Sequence, residues 1–244
     1  MAKLNPVFAK IETDEFVTDV ATTKGVALKT FILLGIALLS AVLAISNGTL
    51  VYGNPSILLV AVFGTLICGI AGQVSAKAAK VCSILYAVFE GLMLGLISYV
   101  FEAAIGGIIL SAVLITFTIF GVMLFLYTTN IVKVSSTFIK AMMVVGISIF
   151  VISIVYLISY LVYPTNILIS SLSNNLGLLL LVDGLVLLYA AFMLVFDFER
   201  VKMIVAHGFD KRYEWMAALG LMVTIVWIYV QVLRILSILL RNRK

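Results

Sequence analysis

Histidine is almost missing from this chain. Its single copy, His207, lies between apolar runs. It therefore excludes a histidine-based relay inside any of those runs and any metal site needing two imidazoles, and no His-Glu-x-x-His run exists. Cysteine is nearly as scarce: Cys68 and Cys82 have no metal-ligand spacing and read as packing residues, a disulfide or ligand role being the alternative. The last apolar run has no lysine, which excludes a retinal Schiff base there. Asp183-Gly184 lacks the Gly-x-Gly-Asp pattern of aspartic intramembrane proteases, and the fifth apolar run has no acid to pair with it. Neither an enzyme nor a cofactor is expected. Charge is the largest deficit. With 11% charged residues, 64% hydrophobic residues and a mean hydropathy of +1.27, a 244-residue chain cannot bury its apolar surface as a water-soluble domain. It must use the bilayer as solvent.

What is present is long apolar runs. About 20 residues rising 1.5 Å each cross the hydrocarbon layer, and seven segments qualify: Val26–Ser46, Ser56–Ser75, Cys82–Phe101, Gly107–Val132, Ala141–Val162, Leu176–Phe198 and Trp215–Leu240. Asn47-Gly48, Asn54-Pro55, Lys77 to Lys80, Gly106-Gly107, Lys133 to Lys140 and Tyr163-Pro164-Thr165-Asn166 break them. The expected fold class is all-α, an integral membrane protein of seven helices over residues 26–244, preceded by a polar tail over residues 1–25. Glu12, Asp14, Glu15 and Asp19 among the tail's lysines are wrong for a cleavable signal.

Short loops rich in Lys and Arg stay on the cytoplasmic side. Lys3, Lys10 and Lys24 precede the first run, and Lys29 lies just inside its start. Lys77 and Lys80 follow the second, Lys133 and Lys140 the fourth, and Arg200, Lys202, Lys211 and Arg212 the sixth. The other three connections carry neither residue, so the N-terminus is expected inside. Seven spans then put the C-terminus outside, against Arg241, Arg243 and Lys244. The signal repeated four times decides the orientation, and a final helix that fails to cross is the alternative. The net charge of +5 is explained by topology and anionic headgroups, so no nucleic-acid partner is implied.

Function must lie in polar atoms inside the bilayer, where an ionisable group costs a few kcal/mol unless paired or hydrated. Glu90 falls mid-way along the third run, Asp183 in the first half of the sixth, and Asp197 near its far end. Asp183 and Asp197 share a helix face but stand about 21 Å apart along the axis. They cannot form a dyad, and Asp197 needs a partner from another helix or from Arg200. The plainer reading makes Asp197 and Glu199 interfacial residues paired with Arg200 and Lys202. Gly64, Gly69, Gly72 and Ser75 on the second run, and Gly91 and Gly95 on the third, form small-residue strips for close helix packing. Around Tyr86, Glu90 and Gly91 such packing encloses an acid. Tyr213, Trp215 and Trp227 include headgroup-level anchors, Trp215 foremost.

Several blocks resemble the bacterial branch of the Bax-inhibitor-like family (transmembrane Bax inhibitor motif, YccA-like). They are Asn5-Pro6-Val7-Phe8, Tyr86-Ala-Val-Phe-Glu90-Gly91-Leu-Met-Leu-Gly95, Phe196-Asp197-Phe198-Glu199, and Tyr213-Glu214-Trp215 through Gly220, Thr224, Trp227 and Tyr229 to Val232-Leu233-Arg234-Ile235-Leu236. The likeness runs from the tail to the last helix. It implies six helices around a central C-terminal seventh and a leak for cations, Ca²⁺ above all. It also implies a gate in which an aspartate closing the sixth helix shares a proton with one in the seventh. Asp197 matches the first position. The second is occupied by Thr224 in one register and Gln231 in another, and neither titrates. Either Glu90, Glu199 or Glu214 supplies the missing acid, or the sensor is weakened. The latch arginine expected in the second helix is absent.

The resemblance and the acids together point to a cation route, with Asp197 and Glu90 as transient oxygen ligands for Ca²⁺ and Asp183, Glu199 and Glu214 along the route or gate. A second reading is a regulator that binds a membrane AAA protease through its polar N-terminal tail. A secondary transporter would need an inverted repeat, and none is evident. The motifs favour a bacterial inner membrane.

Overall fold

A computed structural model describes residues 19–48, 53–162 and 175–241. Within them are seven helices: α1 (Thr23–Ser46), α2 (Pro55–Val74), α3 (Ala79–Ala104), α4 (Ile108–Thr128), α5 (Ser136–Val162), α6 (Leu176–Ala206) and α7 (Arg212–Arg241). All seven are long and apolar enough to cross a membrane. The motif Asn5–Phe8, the connection Tyr163–Asn166 and the terminal Arg243 and Lys244 lie outside the described residues.

Helix starts are chosen by side chains that satisfy free backbone donors. Thr22 accepts from Gly25 N (3.0 Å) to open α1, and Asn175 accepts from Leu178 N (3.2 Å) to open α6. The Glu102 carboxylate at the end of α3 accepts from Gly107 N (2.6 Å) and Ile109 N (3.0 Å), placing a negative charge at the positive end of α4. Several helices outrun their apolar segments, α6 the furthest. α6 continues eight residues past Phe198 to Ala206, and α7 begins at Arg212 rather than Trp215. Hydropathy marks where the oil ends; the backbone hydrogen bonds continue into charged residues. α4 stops before Val132, since Asn130 takes a left-handed φ of 57°, which breaks the helical run.

α7 packs against α1, α2, α3, α4 and α6. It is continuous over 30 residues, about 45 Å, so it runs the length of the bundle instead of turning back. α3 is as deeply embedded as α7, each with 39% of its span buried, against 6% for α5. α5 is held from α6: Phe138 meets the rings of Phe192 and Phe196 at 5.8 and 5.5 Å, and Tyr189 donates to the Met142 carbonyl (3.4 Å). The small residues serve packing. Gly64 faces Phe89, Gly69 faces Tyr86, and Gly72 faces Leu219. At Gly91, α1 comes so close that a Cβ would collide with the Ala37 backbone and Ser40.

The ends bearing Lys24, Lys80, Lys133, Lys202 and Lys211 gather at one end of the bundle, called here the basic end. Backbone bonds tie the chain there: Ala21 N to Phe209 O (2.8 Å) and Lys211 N to Asp19 O (3.0 Å) flank an isolated bridge between Val20 and Asp210. Part of the segment expected to be free tail, residues 19–22, is therefore a strap on the α6–α7 connection, and α1 begins at Thr23.

Candidate functional site

α6 and α7 run antiparallel in contact, and two polar rungs cross between them. The inner rung is Asp197 with Thr224, whose hydroxyl donates to Oδ2 at 2.6 Å. Gly220, one turn before Thr224, leaves room beside it. An added Cβ there would lie 3.4 Å from Asp197 Oδ1, 3.4 Å from Gln73 Nε2 and 3.6 Å from Arg200 Nη1. Arg200, which stands near Asp197, donates to Gln73 Oε1 on α2 (2.8 Å), while Gln73 Nε2 donates to the Met216 carbonyl on α7 (3.4 Å). The second helix lacks the expected arginine, yet α2 is tied to α6 all the same, with the arginine on α6 and the amide on α2.

The outer rung is Asp183 with Arg234, Oδ2 to Nε at 3.2 Å. Asp183 is 3% exposed and Arg234 53%. Among the described residues Asp183 Oδ2 receives no hydrogen bond, so the contact is one of charge. Both aspartates of α6 face α7, as their spacing requires, and the rungs are separated by buried carbon: Ala190, Ala191 and Leu194 on α6 and Ile228 on α7. Thr224 and Gln231 lie seven residues apart, two turns on one face, which is why both registers fit the sequence. Thr224 meets Asp197, and Gln231 is buried nearer the outer rung.

The acids considered as partners for Asp197 are engaged elsewhere. Glu199 accepts from the Tyr127 hydroxyl on α4 (2.8 Å). Glu214, 1% exposed, accepts from Lys29 Nζ (2.5 Å), Thr22 N (2.7 Å) and Thr22 Oγ1 (3.1 Å), and Lys29 also lies 5.1 Å over the Trp215 ring. Glu214 thus fastens the start of α7 to the start of α1. In this arrangement the hydrogen bonds of Glu199 and Glu214 go to Tyr127, Lys29 and Thr22 and not to Asp197. Glu90 lies one turn from Tyr86 and close enough to interact with its hydroxyl. Its depth is set by two pins between parallel helices: Ser83 Oγ donates to the Trp215 carbonyl (3.4 Å), and Ser98 Oγ meets the Tyr229 hydroxyl at 2.9 Å. Counting along both helices, Glu90 comes level with Met222, within one turn of Thr224. Among the described residues no three His, Cys, Asp or Glu side chains converge. Cys68 and Cys82 are free thiols.

The sequence profile of the family described as Bax inhibitor 1 like matches residues 5–241. The chain belongs to this family. A search of curated proteins returns no match to it.

In this Bax inhibitor 1-like protein four residues with polar roles escaped the reading of the sequence. Arg234 was visible as a charge inside the last apolar run. A basic residue there calls for an acid at matching depth. Gln73 and Tyr127 carry no formal charge and sit at run ends. Lys29 belongs to the basic residues that mark topology, and its pairing from α1 with Glu214 on α7 is a long-range fact that no local pattern encodes.

Proposed function

We propose that this membrane protein is a cation leak channel, permeable to Ca²⁺, whose route follows the α6–α7 face and whose pH gate is weakened. The observation carrying the reading is the Thr224–Asp197 bond, a carboxylate held inside the bundle by a neutral partner on the central helix. A carboxylate costs free energy at such depth and is retained where it meets a charge. Hard oxygen donors such as Asp197, with Glu90 at the same level, suit Ca²⁺. Ala190, Leu194 and Ile228 close the interval between the rungs, so conduction requires α6 and α7 to part there. Two facing acids would share a proton because both cannot ionise cheaply; a threonine opposite Asp197 removes that repulsion.

The test is Ca²⁺ entry into dye-loaded liposomes containing the purified protein. Asp197→Asn is expected to cut entry on the order of tenfold, since it removes a charged oxygen ligand. Glu90→Gln is expected to lower it too, with the protein still folded. Unchanged entry in Glu90→Gln would make Glu90 a packing residue, as replacing a buried charge by its isostere is often neutral for stability. Regulation of a membrane AAA protease remains a separate proposal. It rests on the polar tail, most of which lies outside the described residues, and deleting residues 1–18 would abolish that hold while leaving conduction intact.

A further inference from the structure

α1 and α4 both lie on α7, but they do not close over it. A trough remains between them, floored by Leu221 and Ile225 of the central helix. One cavity of about 490 Å³ occupies the half nearer the basic end and another of about 460 Å³ the far half. The two share Phe31, Leu34, Phe117 and Ile225, so they form one channel open to the side. Along α1 it runs from Thr23 to Ile45, about 33 Å and close to the full hydrocarbon thickness.

Its length and its lining decide what can lie in it: it spans the hydrocarbon layer and opens sideways. A single hydrocarbon chain fits, and the lining is almost all carbon. Polar groups gather at the basic mouth, where Lys202 stands with the hydroxyls of Thr23 and Thr128. Lys202 is exposed and, among the described residues, has no carboxylate within ion-pair distance, whereas Lys29, Lys211 and Arg212 each have one. A mouth with a free cation above an apolar trough matches an amphiphile with an anionic head.

We propose that this trough is a binding site for an anionic phospholipid, with one acyl chain along α7 and the phosphate at Lys202. The lipid then touches Leu221, three residues before Thr224, and Ile225, directly after it, so its chain bears on the helix that carries the inner rung. The proposal does not depend on the channel reading, because its readout is bound lipid.

The experiment is native mass spectrometry of the full-length protein released from micelles containing equal phosphatidylglycerol and phosphatidylcholine of the same chains. Wild type should retain phosphatidylglycerol over phosphatidylcholine by about fivefold, which is what one lysine near an anionic headgroup supplies. Lys202→Gln, an exposed change outside the core, should bring the ratio close to one. Ala27→Trp, which fills the trough from its exposed rim, should lower retention of both lipids. Equal retention by wild type, or a preference that survives Lys202→Gln, would overturn the site. So would a trough occupied by a second copy of the chain, seen as a dimer that excludes lipid. If Ala27→Trp does not fold, the Lys202→Gln ratio alone still decides.

Discussion

A threonine has one proton to give, and Thr224 gives it to Asp197 at 2.6 Å. Two carboxylates at that place would hold a proton between them and release it over a narrow pH range; an acid facing a hydroxyl has no like charge to repel it. Thr224→Asp should therefore introduce a steep change in Ca²⁺ flux between about pH 6 and 8, measured in dye-loaded liposomes. Gln231→Glu, two turns away, should not. A different balance governs Lys29 and Glu214. Both are withdrawn from solvent and paired, and removing one partner of a buried pair strands the other at a cost of about 3 kcal/mol or more. Glu214→Leu alone should sharply lower the thermal midpoint in detergent, and Glu214→Leu with Lys29→Met should recover most of the loss. Equal loss in the single and double variants would mean that the pair contributes through packing and not charge.

At the scale of elements, close approach sets the frame. Gly91→Val should force α1 from α3 and destabilise by about 1–3 kcal/mol. Gly121→Ala on α4, where a Cβ meets nothing within 4 Å, should instead gain up to about 1 kcal/mol from helix propensity; thermal melts of the two variants separate these effects. The strap at the basic end contributes little to pH response. A hydrogen bond from Arg212 holds the Asp210 carboxyl below its usual range, so its contribution is lost only as pH falls through that lowered value. The bond to Asp19 holds Lys211 above its usual range, so its contribution is lost only as pH rises past that raised value. Neither titrates between pH 5 and 8. Element by element, the seven runs were legible because a bilayer leaves one solution for a long apolar segment. The excess length of α6 was not, since Glu199 to Ala206 carries a helix that hydropathy cannot see. Asp197 and Asp183 were legible as costly charges. Thr224 was legible opposite Asp197 only as one of two registers that the family likeness left open, and Arg234 as the partner of Asp183 was not legible, because it is fixed by how α6 and α7 cross and no spacing within one helix encodes that.

For the molecule as a whole, the basic loops gather at one end, and the positive-inside rule predicts that this end is cytoplasmic. A cysteine at Gly48, after Cys68 and Cys82 are replaced, should react with an impermeant thiol reagent in intact cells. Labelling only after lysis would reverse the orientation. The same bundle places one carboxylate, Asp197, against the central helix between α2, α6 and α7, and the account stands on its conducting cations without a proton-sharing partner. The most direct measurement is Ca²⁺ entry into liposomes containing the wild-type protein, followed from pH 5 to 8 beside Asp197→Asn, with His207→Gln as the control for the single histidine. The account predicts entry above protein-free liposomes that changes gradually across this range and falls at every pH in Asp197→Asn. Entry no greater than in protein-free liposomes would contradict it, as would a steep transition abolished by Asp197→Asn.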